Sequence, residues 1–289
     1  MSLLNILGKN VGKSFVSNQP NENNKIQTAK FQTKDGNENQ NDYHSESHNK
    51  NHQKNFRQIF KNLNFELLPG QFHSLLGPSG CGKSTLLRLL ANLDQPSSGE
   101  ILNSKSLSKA MVFQEPRLIP WLNCAENILL PTKLGSTKDR LENSPHNIPN
   151  LQDLLSLLDL NSAQTQYPEQ LSGGMKMRTA LARSLILQPQ LWLLDEPLSA
   201  LDEPTRLNLQ TQIRNIQQNQ NLTGIFVTHS IEEACYLSDT IFLFHHSHEK
   251  LIRVDINLPK IRNNDLREQI DFFEECKRVR QIFKSECFQ

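Results

Sequence analysis

Apolar residues fall along this chain in short, well-bounded runs. Leu191–Leu194 and Ile225–Thr228 are short apolar runs closed by breakers, as expected of central strands in a parallel sheet covered on both faces, and Phe72–Leu76 reads as a short apolar strand. Ile59–Leu67 (IFKNLNFEL) alternates as a half-buried strand does, and Ser2–Phe15 carries a second strand-like piece that could pair with it as an antiparallel hairpin. Between them, residues 18–55 are rich in Asn, Gln, Lys, Glu and His and nearly devoid of aliphatic residues. Burial there cannot offset the entropy of ordering, which predicts a disordered insertion. Pro69-Gly70 turns the chain into Phe72–Leu76, and a glycine-rich loop then leads to the helical pattern Leu86–Leu93, a strand-loop-helix unit. From Glu115 to about Ala163 the pattern reads mostly helical, with a leucine-rich stretch at Leu151–Leu160. Near the end, Ile270, Phe273, Val279, Ile282 and Phe283 fall near helical spacing, which predicts a terminal amphipathic helix. The expected fold is α/β. Residues 1–17 give the first strand of an antiparallel β subdomain, residues 56–262 the main domain with a helical subdomain inserted at about 115–185, and residues 263–289 the terminal helix and tail.

Composition narrows the partners. The 31 Lys plus Arg nearly balance 30 Asp plus Glu, for a net charge of +1, so no global field favours nucleic acid or an anionic membrane, and any anion site must be local. No apolar run approaches the roughly 18 residues needed to span a bilayer, and no signal peptide is evident at the start, which leads us to expect a cytosolic protein. Five scattered cysteines without a CxxC pair suit reduced thiols rather than a disulfide framework or zinc ribbon. His44, His48 and His52, and again His245, His246 and His248, cluster in polar surroundings that favour solvated chain over a metal site.

Two motifs carry chemistry on their own. Gly77-Pro78-Ser79-Gly80-Cys81-Gly82-Lys83-Ser84-Thr85 is a complete G-x-x-x-x-G-K-[ST] loop between a predicted strand and helix. Its glycines let backbone N–H groups curl around phosphate oxygens while the following helix directs its positive end at the same anion. Lys83 would reach the β- and γ-phosphates, and the Ser84 hydroxyl would ligate Mg²⁺. Cys81 lies in this loop at a helix N-terminus, where its thiol pKa is expected to fall. The second motif, Leu191–Pro197, is an apolar strand ending in Asp195 and Glu196. Asp195 suits Mg²⁺, and Glu196 suits polarising an attacking water. Together they describe a P-loop nucleotide hydrolase.

Between the two motifs lies Leu171-Ser172-Gly173-Gly174-Met175, just ahead of a helical pattern. Here the sequence resembles the ATP-binding subunits of ABC transporters, whose LSGGQ signature it matches except for Met175 in place of Gln. Ser172 can cap a helix whose N–H groups, with Gly173 and Gly174 permitting close approach, face a phosphate. The resemblance assigns that phosphate to ATP held by a second copy of the chain. It extends to Gln114, to Ser199–Asp202 and to His229. It implies that Gln114 touches Mg²⁺ or the attacking water, that Asp202 works across a dimer and that His229 contacts the γ-phosphate. Phe15 aligns with the aromatic that stacks on adenine in this family; packing in the core is the alternative for it.

The stretch FQEPRLIPWLN with AENILLP, and VDINLPKIRNN near the end, resemble the importer subgroup for nitrate, aliphatic sulfonates, taurine or thiamine precursors. The resemblance therefore implies a P-loop, RecA-like ATPase that binds ATP and Mg²⁺, closes as a homodimer on ATP and drives a transmembrane permease served by a solute-binding protein. Such a subunit sits peripherally on the cytoplasmic face of the inner membrane. Exposed Leu118, Ile119 and Trp121 would receive the permease. The rival is a soluble ATPase of the same type acting on ribosomes or DNA. Such proteins usually carry two cassettes or a long coiled coil, whereas this chain has one phosphate loop, one signature and no sustained heptads.

Overall fold

The computed structural model describes residues 5–16, 56–134, 150–245 and 249–287. The expected insertion at 18–55 lies outside the described residues, as do His44, His48, His52, His246 and His248. Met1–Lys13 and Ile59–Gln289 form one compact unit; Ser14–Gln58 forms a second, of which the described parts are strand ends.

Among the described residues, nine strands build two sheets. The larger has the order β5 (Lys109–Val112), β6 (Leu191–Asp195), β7 (Thr223–Thr228), β3 (Phe72–Leu76), β8 (Thr240–Phe244), β9 (Leu251–Asp255). Its first five strands run parallel and β9 joins antiparallel. Side chains alternate between two cores, as a strand's period of two requires. Trp192, Leu194 and Phe226 enter one core, and Leu191, Leu193, Ile225 and Val227 the other. The first core is closed by α3 (Leu151–Leu157), α4 (Gly173–Leu185), α5 (Glu203–Asn219), α6 (Ile231–Leu237) and α7 (Ile270–Cys287). The second is closed by α1 (Lys83–Leu90) and by a three-stranded sheet of order β2 (Phe56–Leu67), β1 (Ile6–Val16), β4 (Ser98–Leu102). β1 and β4 pair antiparallel.

Two expectations from the sequence change. Residues 115–123 are not helical. Pro116 and Pro120 lack amide donors, Arg117 has a left-handed backbone with φ 47, and the helix α2 (Cys124–Leu129) begins only after Asn123, whose side chain caps it. The terminal helix is also rotated from its expected phase: Ile270 and Phe273 are exposed, while Phe272, Cys276 and Val279 make the buried stripe and Ile282 and Phe283 pack beside it. Phe272 sets that phase by packing edge-on against Tyr236.

Charged side chains join the C-terminal segment to the sheet. Arg262 is buried and donates through Nη1 to the carbonyls of Cys235, Tyr236 and Ser238 at 2.9, 2.7 and 2.9 Å, satisfying the C-terminal end of α6. Arg214 pairs with Asp239 at 2.6 Å, and Asp239 accepts the Phe72 amide at 2.8 Å at the start of β3. Burial alone would raise the Asp239 pKa, but Arg214 holds it below the ordinary carboxylate range.

His73 faces the interior of β3 and is fully buried. Burial lowers its pKa from 6.5 to about 4. The unfolded chain therefore takes up a proton below about pH 6.5 that the folded chain refuses until about pH 4, so stability is lost as pH falls through that window. A His73→Leu variant should lack this component, about 3 kcal/mol in full. Urea unfolding of both proteins between pH 7 and 4 tests this, and parallel pH dependences would refute it.

Candidate nucleotide site

The glycine-rich loop leaves β3 at its carboxyl end, the edge of a parallel sheet where ligands bind. Gly80 and Gly82 have φ of 79° and 106°, left-handed values that a side chain resists. At Gly82 a Cβ would also come within 2.8 Å of Ile59 and Phe60. This turn starts α1 at Lys83 and aims its amide end back into the loop. Lys83 Nζ folds over the loop and donates to the carbonyls of Gly77 at 2.9 Å and Pro78 at 3.0 Å. A cavity of about 210 Å³ opens beside it, lined by Ser79, Gly80, Lys83, Ser84, Thr85 and Glu196 among others. Converging amides, a lysine and a helix N-terminus give a cradle for a polyphosphate.

Glu196, just beyond β6, lines the same cavity, and Asp195, the last residue of β6, reaches Ser84. Ser84 Oγ donates to Asp195 Oδ1 at 2.9 Å. Burial pushes the Asp195 pKa above the usual carboxylate range; the Ser84 bond opposes the shift and the adjacent Glu196 adds to it. A cation would be welcome there. Among the described residues no three His, Cys, Asp or Glu side chains are grouped to hold a metal, so a divalent ion would complete its shell with phosphate oxygens and water. Ser84 and Asp195, both hard oxygen donors, fit Mg²⁺ bound in that way.

Glu196 has a left-handed backbone at φ 46, held by its amide bond to the Val227 carbonyl at 3.1 Å. Its carboxylate lies 3.6 Å from His229 Nδ1, at the end of β7. Gln114, just beyond β5, donates to Ser199 Oγ at 3.2 Å, and Ser199 donates to the Glu196 carbonyl at 3.0 Å. Residues from the ends of four parallel strands thus meet at one sheet edge, and these are the ones the sequence singled out: Gln114, Asp195, Glu196, His229 and the loop with Ser84.

The remaining expected residues lie apart. Ser172 caps α4, its hydroxyl accepting the Met175 amide at 3.2 Å. Gly174 lies close to Thr205, whose methyl group would sit 2.7 Å from an added Cβ and would have to shift. Asp202 caps α5 through the Thr205 amide at 3.2 Å, and that bond holds its carboxyl below the ordinary range. None of Ser172, Gly173, Gly174 or Asp202 lines the cavity at Lys83. Phe15 lies near the end of β1, in the unit Ser14–Gln58, with a half-exposed ring rather than a core position. Of the apolar trio, only Trp121 projects, at 75% exposure; Leu118 packs on the core and Ile119 is part-buried.

Two residues that the sequence did not flag shape the segment after Gln114. Buried Asn127 accepts the Ile119 amide at 2.8 Å and donates to the Leu122 carbonyl at 2.8 Å. Arg183 donates to the carbonyls of Pro116 and Arg117. A polar residue inside the apolar run CAENILL was the available signal for Asn127; nothing local marked Arg183.

The family model described as ABC transporter matches residues 60–199. An aliphatic sulfonates import ATP-binding protein of Bacillus cereus is 38% identical over 78% of this chain and 88% of its own length. A second such protein from Pseudomonas fluorescens is 41% identical over 71% of this chain and 75% of its own. The nitrate import ATP-binding protein of Synechococcus elongatus is 38% identical over 76% of this chain and 36% of its own length. Among solved structures, the dimeric bacterial ABC transporter cassette MJ0796 has the same fold, with a TM-score of 0.63 at 24% identity over 89% of this chain and 99% of its own.

The thiol in the loop behaves opposite to its sequence expectation. Cys81 is 2% exposed, and burial raises its pKa more than nearby Lys83 lowers it. Iodoacetamide at neutral pH should therefore label Cys81 far more slowly than a free cysteine peptide, with the rate still climbing above the ordinary thiol range. Peptide mass spectrometry reads this, and labelling at the free-peptide rate would contradict it.

Proposed function

The chain belongs to the ABC transporter family of ATP-binding proteins, and we propose that it is the ATP-hydrolysing subunit of an importer for a small anionic solute such as an aliphatic sulfonate, nitrate or taurine. The observation that carries this reading is the pairing of Ser84 with Asp195 at 2.9 Å beside the contact of Glu196 with His229 at 3.6 Å, all at the mouth of the phosphate loop.

In this reading residues 77–85 hold the phosphates of ATP. Backbone amides of Gly80 and Gly82 and the start of α1 bind the β-phosphate side, and Lys83 exchanges its loop carbonyls for phosphate oxygens. Ser84 and Asp195 would ligate Mg²⁺, with the Gln114 amide oxygen as a further donor; the ion would neutralise charge on the phosphates. Glu196 orients and polarises the attacking water, and His229 donates to a γ-phosphate oxygen, offsetting the negative charge that the γ-phosphoryl carries. The position of Ser172, Gly173, Gly174 and Asp202 away from this cavity supports their acting on the nucleotide of a second copy in an ATP-bound homodimer. The cap at Ser172 and the bare Gly173, whose Cβ would meet nothing nearer than 3.9 Å, leave α4 open to an incoming phosphate.

Among the described residues no helix is long and apolar enough to cross a membrane. Transport therefore calls for a separate permease, and exposed Trp121, on a loop fixed to the Gln114 segment by Asn127 and Arg183, suits its docking. A solute-binding protein would deliver the cargo from the other side. The subunit would then lie peripherally on the cytoplasmic face of the membrane.

A tagged Glu196→Gln variant should bind ATP while hydrolysing it about a hundredfold more slowly or worse. Trapped with MgATP in its native cells and purified from solubilised membranes, it should bring down a multi-span permease. Recovery instead of ribosomes or DNA-bound complexes would overturn the transport reading and leave the ATP chemistry standing.

A further inference from the structure

His229 is held by its neighbours rather than by its own ring, whose side chain is 65% exposed. Thr228 precedes it as the last residue of β7, anchored in register opposite Leu76 of β3. Ser230 follows it as the cap of α6. Thr228 Oγ1 accepts the Ser230 amide at 3.0 Å, closing a turn around His229, and donates to Glu233 Oε2 at 2.5 Å. The Glu233 amide in turn donates to Ser230 Oγ at 3.2 Å. One residue, a single turn into α6, therefore bonds both chain neighbours of His229.

The other Glu233 oxygen is held from α5. Gln210 Nε2 donates to Oε1 at 3.2 Å, and Arg206 Nε lies 3.9 Å from it. Only 12% of the Glu233 side chain is exposed, which makes this a nearly enclosed carboxylate with donors on both oxygens. Gln210 itself accepts from Arg267 Nη2 at 2.9 Å, and Arg267 stacks 3.4 Å over the Tyr236 ring. The hold on the turn thus reaches into the C-terminal segment. A cavity of about 580 Å³ borders His229, Glu196, Glu233, Gln210 and Arg267, so bulk packing does not confine the imidazole there.

We propose that Glu233 is a positioning residue for His229. Its carboxylate fixes the Thr228–Ser230 turn so that the imidazole stays within reach of Glu196 and of a phosphate in the loop; Gln210 holds that carboxylate with Arg206 nearby, and Arg267 in turn holds Gln210. This rests on the role given above to His229. Removing the carboxylate leaves the Thr228 hydroxyl and Gln210 without their acceptor and lets the turn drift, and an ångström of misplacement at a reacting group can cost about a hundredfold in rate.

The test measures steady-state ATP hydrolysis by the full chain. Glu233→Ala should lower kcat about tenfold or more with KM for ATP within about twofold, the pattern of a lost transition-state contact. Glu233→Gln, which retains an oxygen for Thr228, should recover most of the rate. Thr228→Val, which removes the hydroxyl without changing shape, should reproduce the loss and serves if Glu233→Ala fails to fold. In a His229→Ala background, adding Glu233→Ala or Thr228→Val should change the residual rate less than about twofold, since the group being positioned is gone. Equal losses in both backgrounds would assign Glu233 a general structural part and overturn the proposal, as would wild-type turnover in Glu233→Ala beside a slow His229→Ala. Wild-type turnover in His229→Ala would instead sink the reading of His229 itself, and the proposal with it.

Discussion

The register of the parallel strands is the constraint on which the site depends. Val112 lies opposite Leu194, Asp195 opposite Val227, and Thr228 opposite Leu76. The four strands therefore end within two residues of one another, and each releases its next residues at the same edge: Gln114, Glu196, His229 and Gly77. A slip of one residue would move a side chain to the other face and carry the residue its strand releases away from the loop. Register is in turn fixed by burial on both faces, because Trp192, Leu194 and Phe226 fit one core and Leu193, Ile225 and Val227 the other. The chemistry of the edge is thus held by packing in the interior.

That dependence explains what could be read from the sequence. The loop at 77–85, the Asp195–Glu196 strand end and the Ser172 cap are local patterns whose spacing contains their own geometry, and the structure places each on the expected element. Properties set by contacts between distant residues were out of reach. The direction of the Cys81 shift depends on burial, in a core that includes Phe244, far along the chain. Helix dipole and neighbouring lysine, the visible local factors, both point the wrong way.

Helical phase and length failed for similar reasons. Ile270 and Phe273 have the spacing of a buried stripe, but Phe272 is the residue that finds Tyr236, and the helix turns accordingly. In the 115–123 segment, apolar content suggested a helix where prolines and side-chain bonds from Asn127 and Arg183 impose an irregular loop. Such a loop keeps Gln114 at the sheet edge and Trp121 in solvent on one short length of chain.

Strand order also has a consequence in time. β3 is the third strand made but sits between β7 and β8, with β7 beginning about 150 residues later. At a synthesis rate of about 5–20 residues per second, the fully buried residues of β3 wait roughly 7–30 s for their neighbours. During that interval an unpaired apolar strand is exposed on the nascent chain, a template for pairing with other polypeptides. The central strand is therefore paired along both sides only once Phe244, at the end of β8, has been synthesised.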